Sequence, residues 1–600
     1  MFRARAALAA LVGSVAIAAC GGSSNSSGGS TPTTPPPPIN GNPCLSADTA
    51  EVAAVGAAAQ SGIPPPDKST IVDGDPRGRV YAALALHRAR VSTRARTTAI
   101  TPAPVADDIG NIAVLQDTGD LVIPQNTFDL VGGGLRFSPA GSGYFVSKID
   151  PTFRTPLGNQ VTLGDDDSAA FTAPFSFPYY GIGQTSVFVN SDGNITFGEG
   201  DSASTDRNLS RFMTGAPRIA PFFADLDPTQ GSGKVLVSSA PDHFTATWCG
   251  VRGYGVPQTV TVQTTLLPDG SMEIKFGPTI TLGDAIIGTS PGHTKDFAAV
   301  KLSSGTGSGS GAVAERFASS ASIDTVAVGQ RFYATHPDNF DQLVVWSDQS
   351  LVHDAFSYEI NVANEIQGIG QGDPFNESSA YGSAGQLRSV VFMDAVSKFP
   401  DDPTQKFLGE NNTLSVMGQE VGHRWLAYLQ FRDHAGATSK LLLGRDQAHW
   451  SFFLNSDASV MEGNQIQDLG GGQFVTTDAV KRYSMLDQYV MGLVAPSDVP
   501  SFFYVENPVS TKTPGSSPQI GVSFSGTRRD VLISDVIAVE GPRVPAFASS
   551  RTHRQAFIYV VSNGSVDSTQ VAKVDKIRQA WESFFLQATG GRMTALTKLH

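Results

Sequence analysis

Ser186-Val187-Phe188-Val189-Asn190, then Ser191-Asp192-Gly193-Asn194, then Ile195-Thr196-Phe197, is the stretch that decides the fold of the first half of this chain. β-branched and aromatic residues flank an Asp-Gly pair, and Asp-Gly supplies the positive φ that a tight hairpin turn requires. The pattern recurs in Thr259–Leu267, Pro268-Asp269-Gly270 and Met272–Phe276. From about Ala113 to Pro291, short runs rich in Val, Ile, Phe and Thr alternate with turn residues. Several such runs at short spacing predict a sandwich-like all-β domain.

Phe175-Ser176-Phe177-Pro178-Tyr179-Tyr180-Gly181 precedes the first hairpin, and Pro217-Arg218-Ile219-Ala220-Pro221-Phe222-Phe223-Ala224-Asp225-Leu226-Asp227-Pro228 follows it. Thr247-Trp248 and the Pro-Asp-Gly hairpin come next. In this order the strings resemble a nidogen-type extracellular (NIDO-like) module. The resemblance implies a β-rich adhesion or scaffolding unit with no catalysis of its own and with a protein or polymer as ligand. Asp225 and Asp227 are candidates for calcium, or they cap turns and face water, since calcium asks for six or more oxygens.

Toward the N-terminus, Arg3 and Arg5 precede the apolar run Ala6–Ile17, too short to span a bilayer, and Ala18-Ala19-Cys20 closes it. This arrangement resembles a lipobox. It implies acylation of Cys20, export, and a membrane partner reached through the lipid. Gly21, in place of Asp after the cysteine, points to the outer membrane. Gly21–Asn42 is rich in Gly and Ser and then in Thr and Pro, a composition that buries no core and suits a tether. Ala47–Gln60 reads as a short helix, and Asp75-Pro76 opens a second that carries Val80, Leu84 and Val91. Its many arginines read as a solvated face. Of the three cysteines, Cys44 and Cys249 remain if Cys20 is acylated; in an oxidising compartment they can pair, and the sequence leaves their pairing open. A net charge of −13 over 600 residues argues against a nucleic-acid partner.

Ser303–Gly311 is rich in Ser and Gly and predicts a boundary, after which the chain changes character. Phe340–Trp346, Phe356–Val362 and Val390–Met393 read as strands. Leu414–Phe431 reads as a helix with Met417, Val421, Trp425 and Leu429 on one apolar stripe. Ala556–Val561, an unbroken apolar run, reads as a strand buried on both faces. The last helix, capped by Asp567 or Ser568, carries Val571, Val574, Ile577, Trp581 and Phe584.

The string Gly418-Gln419-Glu420-Val421-Gly422-His423-Arg424-Trp425 resembles the active-site helix of zincin-type zinc metallopeptidases, whose motif is His-Glu-x-x-His. Two imidazoles one turn apart grip zinc there, and the Glu activates the metal-bound water. The resemblance implies His423 as a zinc ligand and Glu420 as the catalytic general base. The first ligand position, however, is Gln419, whose neutral amide is a poor zinc ligand. Further donors must come from downstream: His449 first, Glu462 next, with Asp487 as an alternative that equally can orient a ligand. Arg424 offers a different use for Glu420, as a structural ion pair. The strings around His449, Ser459–Asn464 and Tyr483–Leu493 resemble exported bacterial proteins that join a NIDO-like module to a zincin-like domain.

The chain thus reads as multidomain: a signal peptide (1–20), a tether (21–44), short N-terminal helices (45–112), a NIDO-like β domain (113–300), a Ser/Gly-rich linker (301–330) and a zincin-like α+β domain (331–600). Two functions stay open. One is an exported, lipid-anchored zinc metallopeptidase, active or lapsed. The other is a non-catalytic adhesion or binding lipoprotein whose peptidase domain is a pseudo-enzyme. A metal kept only for structure lies between them.

Overall fold

The computed structural model describes Cys44 and residues 77–95, 107–352, 356–548, 551–562 and 564–600. The expected lipidation site Cys20, the tether and the helix Ala47–Gln60 lie outside the described residues.

The decisive hairpin forms as the sequence predicts. Strand Ile182–Asn190 turns through Ser191–Gly193 into Asn194–Thr196, with Val189 opposite Ile195 and Gly193 at φ 63°. It sits in a seven-stranded sheet ordered 297–299, 312–317, 285–290, 218–223, 194–196, 182–190, 168–179. A nine-stranded sheet packs against it, with the second hairpin (Thr259–Leu266 and Met272–Phe276) near its middle. Val187, Val189, Ile195, Trp248 and Ile274 fill the space between the sheets. Each such apolar side chain, fully buried, contributes roughly 1.5–3 kcal/mol. Trp248 also donates its indole N–H to the carbonyl of Asn190 at 3.0 Å, which pins the hairpin to the facing sheet.

The Ser/Gly-rich stretch expected as a linker is part of this sandwich. Thr306–Ser310 is an edge strand paired with Gly143–Lys148, and Ala312–Phe317 lies inside the seven-stranded sheet. The glycines are there for close packing: a Cβ on Gly309 would come within 2.1 Å of the Ala298 Cβ, and one on Gly143 within 1.8 Å of the Gly309 carbonyl. A composition that reads as flexible is here a steric requirement.

The second body is a mixed sheet ordered 107–109, 112–116, 551–561, 342–347, 389–395, 358–361, with 593–596 beside 551–554. The four central strands are parallel, and both edge strands are antiparallel. Strand Ile112–Gln116, at the expected start of the β module, is hydrogen-bonded here, to Phe557–Val561, and not to the sandwich. Its apolar run could not show which sheet would take it.

Seven α-helices occur among the described residues: α1 (Gly78–Ala95), α2 (Leu209–Thr214), α3 (Thr325–Tyr333), α4 (Thr413–Gly422), α5 (Met485–Met491), α6 (Ile533–Glu540) and α7 (Ser568–Ala588). Alternate residues of Ala556–Val561 serve two cores. Phe557, Tyr559 and Val561 pack with α4 and α7, whereas Ala556, Ile558 and Val560 pack with α1 and α3. Helix α1 joins the bodies. Val80 and Leu84 enter the sheet core, while Ala85, with Tyr81, Ala82 and Leu86, meets Leu209, Phe212 and Met213 of α2 on the sandwich. Its arginines are not simply solvated: Arg79 donates to the Glu359 carbonyl, and Arg90 pairs with Asp324 at 2.7 Å. Cys44 is joined by a disulfide to Cys249 of the nine-stranded sheet. A third, four-stranded sheet (464–470, 473–479, 523–531, 502–509) closes on Phe452, Phe474, Phe503 and Phe524.

Candidate functional site

Helix α4 begins at an Asn412 cap, whose side chain accepts from Ser415 N while Ser415 Oγ accepts from Asn412 N. Met417 and Val421 enter the core beneath the sheet. The helix stops at Gly422, nine residues short of the expected Phe431. The reason is tertiary. The His423 carbonyl, which an i+4 amide would otherwise take, accepts instead from Asn361 Nδ2 (3.2 Å) and Tyr428 Oη (3.2 Å). A Cβ on Gly422 would meet Met461 Sδ at 2.5 Å, so glycine is what lets this turn lie against the 459–462 segment.

Gln419, Glu420 and His423 are all buried on this helix, and His449 is buried beside them. The rings of His423 and His449 stand perpendicular with centroids 4.9 Å apart. The main chain fixes both tautomers. His423 Nδ1 lies 3.0 Å from the Leu426 carbonyl and His449 Nδ1 2.8 Å from the Arg445 carbonyl. A carbonyl only accepts, so each Nδ1 carries the proton and each Nε2 offers a lone pair. Gln419 Nε2 then donates to His449 Nε2 at 3.0 Å. The Gln419 Oε1 atom has no hydrogen-bond partner. Burial holds His423 down at about 3, and burial with the nearby Arg445 charge holds His449 well below the usual histidine range. Both rings are therefore neutral at physiological pH.

Glu420 accepts from Ser357 Oγ at 2.8 Å, and burial raises its carboxyl above the ordinary range despite that bond. It does not pair with Arg424, which reaches Glu365 and Asn364 at 3.2 Å. Ser357 flanks and Asn361 ends the edge strand Tyr358–Asn361, and alternate residues share a face, so Glu359 faces α4 between them. Glu359 is buried, its Oε1 has no hydrogen-bond partner, and burial pushes its carboxyl up to about 8. Sequence reasoning missed Ser357, Glu359 and Asn361; three alternating polar residues in an otherwise apolar strand were the available signal.

The downstream candidates have other partners. Glu462 pairs with Arg445 at 2.6 Å. Asp487, fully buried at the start of α5, accepts from Trp450 Nε1 (2.8 Å), Ser459 Oγ (2.6 Å) and Ser484 N (2.7 Å). It thereby fixes Trp450 and, through it, the adjacent His449. Among the described residues, the His449 Nε2 lone pair is taken by the Gln419 amide, and Glu462 and Asp487 are held by Arg445 and by Trp450, Ser459 and Ser484. In the sandwich, Asp225 lies with Asp165 and Asp166, their carboxylates within 4.8 Å of one another, and Arg207 pairs with Asp166, with Asp192 at 2.7 Å and with Asp225 at 3.3 Å. Asp227 is not in that group; it accepts from Thr229 N and Oγ1 at 2.9 and 2.5 Å.

Residues 143–334 match the protein family described as NIDO related, so a NIDO-like module is present in the β-rich part of the chain. No curated protein matches the chain, and no solved structure matches it.

Proposed function

We propose that this chain is a non-hydrolytic binding protein of the cell envelope, held by lipid at Cys20, that displays the NIDO-like module together with a zincin-like domain whose catalytic centre has lapsed. The observation that carries this reading is the Gln419 amide, which donates into the His449 lone pair where a zinc ion would need it. Three features support descent from a working centre. Gln419 reaches His449 at 3.0 Å, and the His423 and His449 rings lie 4.9 Å apart. Both imidazoles are oriented by backbone carbonyls, as metal ligands are. Glu420 sits next to them on the same helix.

What remains is too little for metal-assisted hydrolysis. A catalytic zinc takes three protein ligands and an open position, and here the third corner is an amide N–H. Metal analysis of the full-length protein in detergent tests this. The expected result is zinc far below stoichiometry in the unmodified protein and near-stoichiometric zinc in Gln419→His. Near-stoichiometric zinc in the unmodified protein, with casein hydrolysis that Glu420→Gln abolishes, would overturn the reading.

A further inference from the structure

One loop of the second body reverses the usual order of a protein surface, with apolar side chains outside and polar groups inside. In residues 542–548, which follow α6, only Arg543 is buried, and the six exposed residues are all apolar: Pro542, Val544, Pro545, Ala546, Phe547 and Ala548. Val544 is 49% and Phe547 48% exposed. Arg543, the one charged residue, turns inward and donates to the carbonyls of Val490 (2.7 Å), Met491 (3.3 Å) and Pro545. The backbone is engaged as well. Val544 exchanges two bonds with Gln367 (2.9 and 3.1 Å), Arg543 N donates to Tyr489 Oη at 3.3 Å, and Ala548 N donates to the Gly492 carbonyl at 3.0 Å. The two prolines have no N–H to satisfy. Among the described residues of this loop, only the N–H groups of Ala546 and Phe547 stay open. A loop in water leaves its backbone to water, whereas a surface that quits water must satisfy its backbone internally. Single exposed apolar residues are ordinary; six in a run of seven mark a contact.

We infer that loop 542–548 seats in the acyl-chain border of a lipid bilayer and so lays the second body against the membrane. The inference rests on the lipid anchor at Cys20 proposed above. The 23 residues between Cys20 and Cys44 extend to at most ~80 Å, against a radius of gyration of ~25 Å for a compact chain of this length. The anchor therefore lets any side of the molecule reach the bilayer; it confines without orienting. A tethered surface meets the bilayer at high effective concentration, so a small apolar contact suffices to choose the side. The chemistry of the loop selects hydrocarbon over a protein partner. A protein interface carries about one hydrogen bond per 100–200 Å². Two backbone N–H groups are the only donors that this loop offers. It also presents no exposed charge, so attraction to charged headgroups plays no part.

Tryptophan quenching tests this on the full-length protein in phosphatidylcholine vesicles with brominated acyl chains. All five native tryptophans are buried, so an added surface tryptophan reports on its own position. Phe547→Trp and Val544→Trp should each be quenched several-fold more than Phe145→Trp, which stands at an exposed position on the sandwich. Added salt should leave that difference unchanged, since no charge carries the contact. Flotation of the same vesicles separates the two readings. Protein that floats with the vesicles yet is quenched equally at all three positions overturns the loop contact and leaves the anchor standing. A blue-shifted but unquenched signal from Phe547→Trp in floating protein assigns the loop to a second copy of the chain and overturns the bilayer contact. Protein that fails to float overturns the anchor and this inference together.

Discussion

At Glu359 a carboxyl is buried in the strand that faces α4, and its ionisation is the costly state. Its folded value of about 8 exceeds the ordinary 4.5, so the folded protein binds the proton more tightly than the unfolded chain does. Stability from this group is therefore present below pH 4.5 and is lost as pH rises through 8. Thermal unfolding of Glu359→Gln against the unmodified protein should show the variant gaining relative stability between pH 5 and pH 8; a difference that stays flat across that window would refute the assignment. His423 works with the opposite sign. Its folded value of about 3 lies below the ordinary 6.5, so its contribution is present above pH 6.5 and falls away toward pH 3. The helical residues of the centre were legible because i, i+3 and i+4 spacing is a local property. Ser357, Glu359 and Asn361 were not, because they reach α4 from a strand some sixty positions earlier, and only the fold brings those segments together.

Among the elements, α4 and α5 show how much of a helix its own sequence decides. Their starts are set locally: Asn412 and Ser484 cap with side chains that satisfy the first free amides. The end of α5 is local too, at Gly492 with φ 78°. The end of α4 is not, since Asn361 from a distant strand, together with Tyr428, takes the His423 carbonyl. Asn412→Ala should cost ~1 kcal/mol, as cap removals do. Asp487→Ala should cost more, ~2–4 kcal/mol, because it strands the Trp450, Ser459 and Ser484 donors in the core. Chemical denaturation checks both, and a smaller loss for Asp487→Ala than for Asn412→Ala would contradict this account of the His449 support. The Ser/Gly-rich strand Thr306–Ser310 teaches the converse: small residues signal mobility or close approach, and composition alone does not separate the two.

For the whole molecule, the hairpins made the sandwich legible, and the unbroken run at Ala556–Val561 made a doubly covered sheet legible. The sharing of strands between them was hidden, because Ile112–Gln116 finds its partners more than four hundred residues away. Helix α1 is the clasp between the bodies, so Leu84→Ala, which empties part of the core it shares with the sheet, should cost ~2–5 kcal/mol in denaturant unfolding. The bond between Cys44 and Cys249 spans 205 positions, and replacing both with Ser should lower stability by ~2–5 kcal/mol. That bond also fixes the route of mechanical load. A pull applied from the N-terminal side of Cys44 enters the molecule at Cys249, within a central strand of the nine-stranded sheet, before it can reach α1. The sulfur bridge therefore carries tension from that side across hydrogen-bonded strands, ahead of the clasp helix, until the bridge is reduced.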